Sequence, residues 1–98
     1  MNISTDLSVV DNAEKRRYEI RHGSDVLGFI FYRLDTERMT LMHTEVDEEL
    51  EGEGIGSQLV SGALDDIRAR GLSIVPLCPF VSAYLLRHPE YSDLVAKV

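Results

Sequence analysis

Tryptophan is absent from this 98-residue sequence, and cysteine occurs once, at Cys78. A single thiol excludes an internal disulfide, and the isolated His22, His43 and His88 make no zinc-binding spacing with it, so no metal site is expected. No apolar run approaches the roughly 20 residues of a membrane span. Met1-Asn2-Ile3-Ser4-Thr5-Asp6 lacks the basic and apolar regions of a signal peptide, which predicts a cytoplasmic location and no membrane partner. Bases are scarce too: 10 against 17 acids leave a net charge of -7. Apart from Lys15-Arg16-Arg17 they are scattered, so the basic stripe that nucleic acid demands is missing and no nucleic-acid partner is expected. Cationic partners, such as amines or lysine-rich segments, are electrostatically easier. Repeats, low-complexity tracts and Pro/Gly/Ser-rich linkers are absent as well, so residues 1–98 read as one domain. With 44% hydrophobic residues the chain can build one modest core without covalent staples.

What is present changes period halfway along. Arg17-Tyr18-Glu19-Ile20-Arg21 alternates polar and apolar, as a half-solvated strand should. A turn at His22-Gly23-Ser24-Asp25 leads into Val26-Leu27-Gly28-Phe29-Ile30-Phe31-Tyr32, whose continuous apolarity predicts a strand buried on both faces. Asp35-Thr36-Glu37 turns the chain into a third strand, Arg38 to Val46, and links this short predict an antiparallel meander. Ile55, Leu59, Ala63 and Ile67 then recur every fourth residue, with Val60 and Leu64 beside them, on a helix ending at Arg70 before a C′ glycine, Gly71. Leu72 to Leu77 forms a fourth strand, parallel to the third because a helical crossover reaches it by a right-handed connection. Pro79 suits the first turn of a helix over Phe80–His88, which Pro89 ends, and Ser92 can cap a last short helix carrying Leu94, Val95 and Val98. The fold class is α+β: a mixed sheet of three antiparallel strands, then a helical crossover to a parallel strand, with helices packed on the sheet.

Between strand and helix lies Glu51-Gly52-Glu53-Gly54-Ile55-Gly56-Ser57. Alternate glycines let the backbone curl, aim successive N–H groups at one point and approach a ligand closely. The free amides and positive dipole of the helix N-terminus complete a phosphate cradle. A dinucleotide-binding loop fits poorly, because Ser57 takes the third glycine position and the preceding strand belongs to a meander. A P-loop is excluded, since no Gly-Lys-Ser/Thr follows.

Strand, glycine loop, helix, strand resembles the acetyl-coenzyme A binding core of the GNAT acetyltransferases. Their motif of Arg or Gln, two residues, Gly, one residue, then Gly or Ala falls on Glu51, Gly54 and Gly56. The match is closer to a short, single-domain GNAT-like subfamily, whose hallmarks resemble His43-Thr44-Glu45-Val46, Gly52-x-Gly54-Ile55-Gly56, Pro76-Leu77-Cys78-Pro79-Phe80-Val81 and Arg87-His88-Pro89-Glu90-Tyr91. It runs from about Tyr18 to Tyr91. Two acids, Glu51 and Glu53, stand where the family usually carries basic or amide residues. With Glu45, Asp47, Glu48 and Glu49 they crowd the approach to the proposed pyrophosphate site.

The resemblance implies an acetyl-coenzyme A dependent N-acetyltransferase, with acetyl-coenzyme A as co-substrate. Its acceptor would be an amine, a cationic small molecule or a protein lysine, and the protein a monomer or weak dimer. Val46, Gly52, Glu53, Gly54, Ile55, Gly56, Ser57 and Arg87 would bind the coenzyme. Cys78, at a helix start where a thiolate is stabilised, would be accessible near the acyl sulfur and catalytic. Glu45 would take a proton from the amine, with His43 either a second base or a core histidine. Tyr84 and Tyr91 are expected to pack. The alternative is a coenzyme A-binding or partner-interaction module that has lost turnover.

Overall fold

In the computed structural model, residues 7–50, 52 and 54–97 are described, with the side chain of residue 50 excepted. Five strands form one sheet in the order β1-β2-β3-β4-β5: Leu7–Asn12, Arg17–His22, Asp25–Leu34, Arg38–Val46 and Ser73–Pro76. β1 to β4 run antiparallel to their neighbours, and β5 lies parallel to β4. Helices α1 (Ile55–Ala69) and α2 (Pro79–Arg87) flank β5, and a 3-10 segment, Pro89–Leu94, follows. Among the described residues, no helix is long and apolar enough to cross a membrane.

The meander, the crossover helix and the parallel last strand agree with the sequence pattern. Gly71, at φ 71°, follows the Arg70 cap of α1 as a C′ glycine should. Ile55, Leu59, Val60, Ala63, Leu64 and Ile67 all point from α1 into the core, against Tyr18, Ile20, Ile30, Met39, Leu41 and Ile74.

Three expectations need correction. β1 adds a fifth strand that the pattern did not announce. It forms a hairpin ladder with β2, from Asn12 opposite Arg17 to Leu7 opposite His22, and packs on α1: a Cβ on Gly62 would stand 2.6 Å from Val9 Cγ2, so this glycine lets helix and strand approach. β3 is not buried on both faces. Gly28, Ile30 and Tyr32 face the helices and are buried, whereas Phe29 and Phe31 face the opposite side and remain half-exposed, because the helices cover only one face. The last segment is a 3-10 helix, and Ser92 Oγ donates within it to the Pro89 carbonyl rather than capping its start. Val95 is extended there and bridges Ile74, protecting the outer edge of β5. Val98 lies outside the described residues.

Polar groups fasten the frame on each side of the sheet. On the helix side the Tyr18 hydroxyl donates to Asp66 at 2.6 Å, and the Tyr32 hydroxyl donates to Asp11 at 2.6 Å. Arg70 joins the two pairs, donating to Asp11 at 3.0 Å and to the Tyr18 oxygen at 3.2 Å. Burial, and then the Asp11 carboxylate, push the Tyr32 hydroxyl up to about 12, and burial with Asp66 raises Tyr18 as well. Both therefore remain donors at neutral pH.

On the open face Glu19 is only 1% exposed and accepts from Arg17 at 2.7 Å, from Asn12 at 3.1 Å and from Arg21. Burial alone would raise its carboxyl, but the hydrogen bonds of Arg21, Arg17 and Asn12 outweigh it and hold Glu19 at about 2. A carboxyl depressed on folding stabilises the native state above its unfolded value, and that stabilisation fades as pH falls from the ordinary carboxylate range toward 2. Thermal melts across this window should show a steep loss for the native chain and a shallower one for Glu19→Gln. Equal slopes would show that the cluster contributes nothing to acid stability.

Candidate active site

β4 and β5 part company at Leu41. Pro76 brings no N–H to the ladder, and the next two amides, of Leu77 and Cys78, both donate to the Leu41 carbonyl at 3.0 Å. Pro79 then opens α2. β4 continues alone on that side to Val46. Directly after Leu41 it bulges: Leu41 faces Tyr32 and His43 faces Phe31, leaving Met42 as the extra residue.

That extra residue decides which face each later side chain takes. Thr44 and Val46 pair with Ile30 and Gly28 and share their helix-side orientation. His43 and Glu45 pair with Phe31 and Phe29 on the open face. The Asp47 amide bonds the Leu27 carbonyl at 2.9 Å, so strand alternation turns the backbone groups of Thr44 and Val46 toward the gap left by β5.

A groove of about 670 Å³ runs along this gap, bordered by Glu45, Val46, Gly52, Gly54, Ser57 and Arg87, and also by Ile55 and Gly56. Gly52 at φ 87° and Gly54 at φ 76° take left-handed conformations that a side chain disfavours. Gly54 is the N-cap of α1, its carbonyl accepting from Gln58 and its backbone turning the chain into the helix. Among the described residues no side chain caps this end, and the first turn carries no acid. The leading amides of α1 are therefore directed into the groove with their share of the helix dipole.

Ile55 contributes only backbone, because its side chain is buried in the core. Gly56 has a different role from a ligand-approach glycine: a Cβ there would stand 2.5 Å from the Phe80 ring tip, so it seats α2 against α1. Arg87, on the last turn of α2, supplies a cation, and Glu48 an opposing acid. Glu51 and Glu53 lie outside the described residues.

Cys78 is 3% exposed, not accessible as expected. It is the N-cap of α2, and its sulfur stands 3.0 Å from the Thr44 hydroxyl, a groove-lining group. The thiol is thus one side chain behind the groove wall. Glu45 is on the open face, 60% exposed, with His43 Nε2 3.7 Å from its carboxylate. His43 is accordingly no core histidine. Tyr84 is buried and stacked on His88 at 4.0 Å, and Tyr91 donates to Asp65 at 2.7 Å, so both are packing residues.

Thr44 and Phe80 were missed as site-forming residues. Thr44 comes to the Cys78 side only through the bulge, whereas Phe80 was signalled by a helix-start aromatic opposite a glycine-rich turn.

Two parallel strands that part beside an amide-rich helix start thus frame the site. The model of the GCN5-related N-acetyl-transferase family matches residues 17–94, and the chain belongs to that family. It is thereby an acetyltransferase, in a family that generally uses acetyl-coenzyme A as co-substrate. It is similar to a GCN5-like protein from Staphylococcus aureus, with 25% identity and a TM-score of 0.70, covering 96% of this chain and 92% of that one. The fold is shared with the ribosomal-protein-S18-alanine N-acetyltransferase from Escherichia coli, at 16% identity and a TM-score of 0.56 over 76% of this chain. It is shared likewise with the ribosomal-protein-alanine N-acetyltransferase from Brucella melitensis biovar Abortus 2308, at 20% identity and a TM-score of 0.57 over 84% of this chain. The matches cover 55% and 62% of those two longer proteins.

The Gly56–Phe80 contact is testable. Gly56→Ala should destabilise the protein by about 1–3 kcal/mol through overpacking, despite the better helix propensity of alanine. Phe80→Leu in the same chain should recover most of that loss in a double-mutant cycle of chemical unfolding. Additive losses would mean that the two residues do not share a contact.

Proposed function

We propose that the chain transfers the acetyl group of acetyl-coenzyme A to an amine, with the groove beside β4 as the donor site. The observation that carries this reading is the left-handed pair Gly52 and Gly54 opening the α1 amides onto the β4–β5 gap. Those amides and Arg87 would hold the pyrophosphate, and the backbone of Thr44 and Val46, which faces the gap, would align the pantetheine beside Glu45. Acetyl-coenzyme A supplies an activated acetyl group when bound.

The chain's own groups would manage charge and protons. The Val46 amide faces the gap, where it can donate to an oxygen that gains negative charge during transfer. Glu45, exposed on the other face beside His43, would accept the proton of the attacking amine. The new N–C bond forms as the C–S bond breaks, and coenzyme A leaves as a thiolate that takes a proton from solvent. Burial of Cys78 and its tie to Thr44 favour direct attack by the amine, with Cys78 and Thr44 shaping the gap near the thioester.

The second reading, a coenzyme-binding module without turnover, draws on the same burial and on Glu48 inside the groove.

Two measurements test the proposal. Titration calorimetry with coenzyme A should show binding by the native chain, retained in Gly54→Asn and weakened at least about tenfold in Gly54→Val. Asparagine tolerates left-handed backbone, whereas a β-branched side chain does not. Unchanged affinity in a folded Gly54→Val would remove the cradle. Separately, mass spectrometry after incubation with acetyl-coenzyme A should find no acetyl adduct on Cys78, and Cys78→Ala should keep most of the transfer rate. A stable adduct lost in Cys78→Ala would restore a nucleophilic cysteine.

A further inference from the structure

The face of the sheet opposite the helices carries a second groove, of about 430 Å³, walled by Arg17, Val26, Phe29, Glu45 and Asp47. It meets the first groove at Glu45 and Val46. A molecule seated here would reach the β4–β5 gap from the side away from the α1 amides.

The walls of this groove are polarised. Arg17 enters from β2, with its guanidinium carbon 4.4 Å from the centre of the Phe29 ring. It is held by the buried Glu19, which takes only its Nε at 2.7 Å. The terminal nitrogens of Arg17 have no hydrogen-bond partner among the described residues, and the side chain is 16% exposed. Glu19 is shared with Arg21, so two guanidiniums face one carboxylate and the cluster keeps a net positive charge. On the other wall, β4 brings Glu45, and Asp47 follows it. Asp47 accepts from the Glu49 amide at 3.0 Å, whereas Glu45 has His43 Nε2 3.7 Å from its carboxylate, beyond hydrogen-bond reach. β3 separates the walls, so their backbones stand about 10 Å apart, two strand spacings. Its Phe29, held edge to face by Phe31 at 4.9 Å, provides an apolar floor beside the Arg17 guanidinium.

We propose that this groove receives the acceptor, and that the acceptor is a small amino-carboxylate with an apolar side group. The inference rests on the acetyl-transfer reading above. The amine would sit at Glu45, the apolar group on Phe29, and the carboxylate at the unspent terminal N–H groups of Arg17. A guanidinium presents a fixed fork that matches a carboxylate, and partial burial strengthens the pair. An acceptor with positive charge alone, such as a polyamine or a lysine side chain, satisfies Glu45 but meets an uncompensated cation at the other wall. Glu19 is a positioning residue in this scheme: it fixes where the Arg17 fork lies.

The test compares three probes with the same ring and a primary amine: L-phenylalanine, L-phenylalaninamide and phenethylamine. Only the first carries the anion. With acetyl-coenzyme A as donor, kcat/KM for L-phenylalanine should exceed that for either of the others by at least about tenfold, the scale of one charge-assisted hydrogen bond. Arg17→Gln should bring the three within about threefold of one another, chiefly by lowering kcat/KM for L-phenylalanine. The comparison within the native chain needs no variant and stands if Arg17→Gln fails to fold. Equal rates for the three probes, preference for phenethylamine, or no transfer to any of them overturns the acceptor assignment. Calorimetry with coenzyme A alone separates the two levels. Heat of binding with any of those outcomes overturns the acceptor class only, whereas no heat overturns the donor reading and the inference with it.

Discussion

The site depends on one carbonyl. The Leu41 oxygen takes the amides of both Leu77 and Cys78, and among the described residues no further ladder bond joins β4 to the chain beyond β5. An unpaired stretch of strand inside a domain is costly unless its polar groups find another partner. Here the cost is borne over the few residues from Met42 to Val46, and the groove along them is where a ligand's polar groups can complete the ladder. The proline at either end of Leu77-Cys78 enforces the departure: Pro76 cannot donate to β4, and Pro79 commits the chain to a helix. The Met42 bulge follows at once, so the place where pairing ends is also where the strand's faces exchange.

This exchange explains why some of the molecule was legible in the sequence and some was not. The α1 stripe, the Gly71 stop and the Pro79 start are local, and each follows from chain geometry over a few residues. The Gly52–Gly54 curl was legible for the same reason. Strict alternation along β4, however, would put His43 on the face of Leu41 and Thr44 opposite it. One extra residue, invisible in a pattern of mixed polarity, reverses both. β1 is not announced by the pattern, because Leu7–Asn12 ends in Asp11 and Asn12, residue types common in turns. Their partners, Tyr32 and Glu19, lie 21 and 7 residues away. The half-exposed face of β3 was hidden by composition. Phe29 and Phe31 are apolar yet covered by the Arg17 guanidinium rather than by a helix.

The two faces of the sheet are stabilised by different means. On the helix side, burial of aliphatic side chains dominates, and Tyr18, Tyr32, Asp11, Asp66 and Arg70 set the relative positions of β1, β2, β3 and the end of α1. Each buried hydroxyl has a partner, and no buried side-chain N or O atom among the described residues is left without one. On the open side the described residues form no second layer, and Glu19 with its two arginines supplies the cover. Such a cluster adds little net stability compared with apolar packing, since desolvation offsets much of its attraction. What it does add is direction: a planar guanidinium held over Phe29 is a fixed feature on a face that would otherwise be smooth.

β4 consequently acts as a partition with a single opening. The amide-lined groove lies on one side and the polarised groove on the other, and Glu45 and Val46 border both. Two reactants entering from opposite faces would meet only at the unpaired edge of the strand. The orientation of each would be set by its own groove before they meet, which is where much of the advantage of holding reactants together arises. The same partition separates charge. In the proposed reading Arg87 and the α1 dipole would attract anions on the helix side and Glu45 would draw an amine on the open side, so the acids that dominate the chain's net charge need not oppose a phosphate-bearing donor. With a groove on each face, the sheet itself would be the wall that keeps donor and acceptor apart.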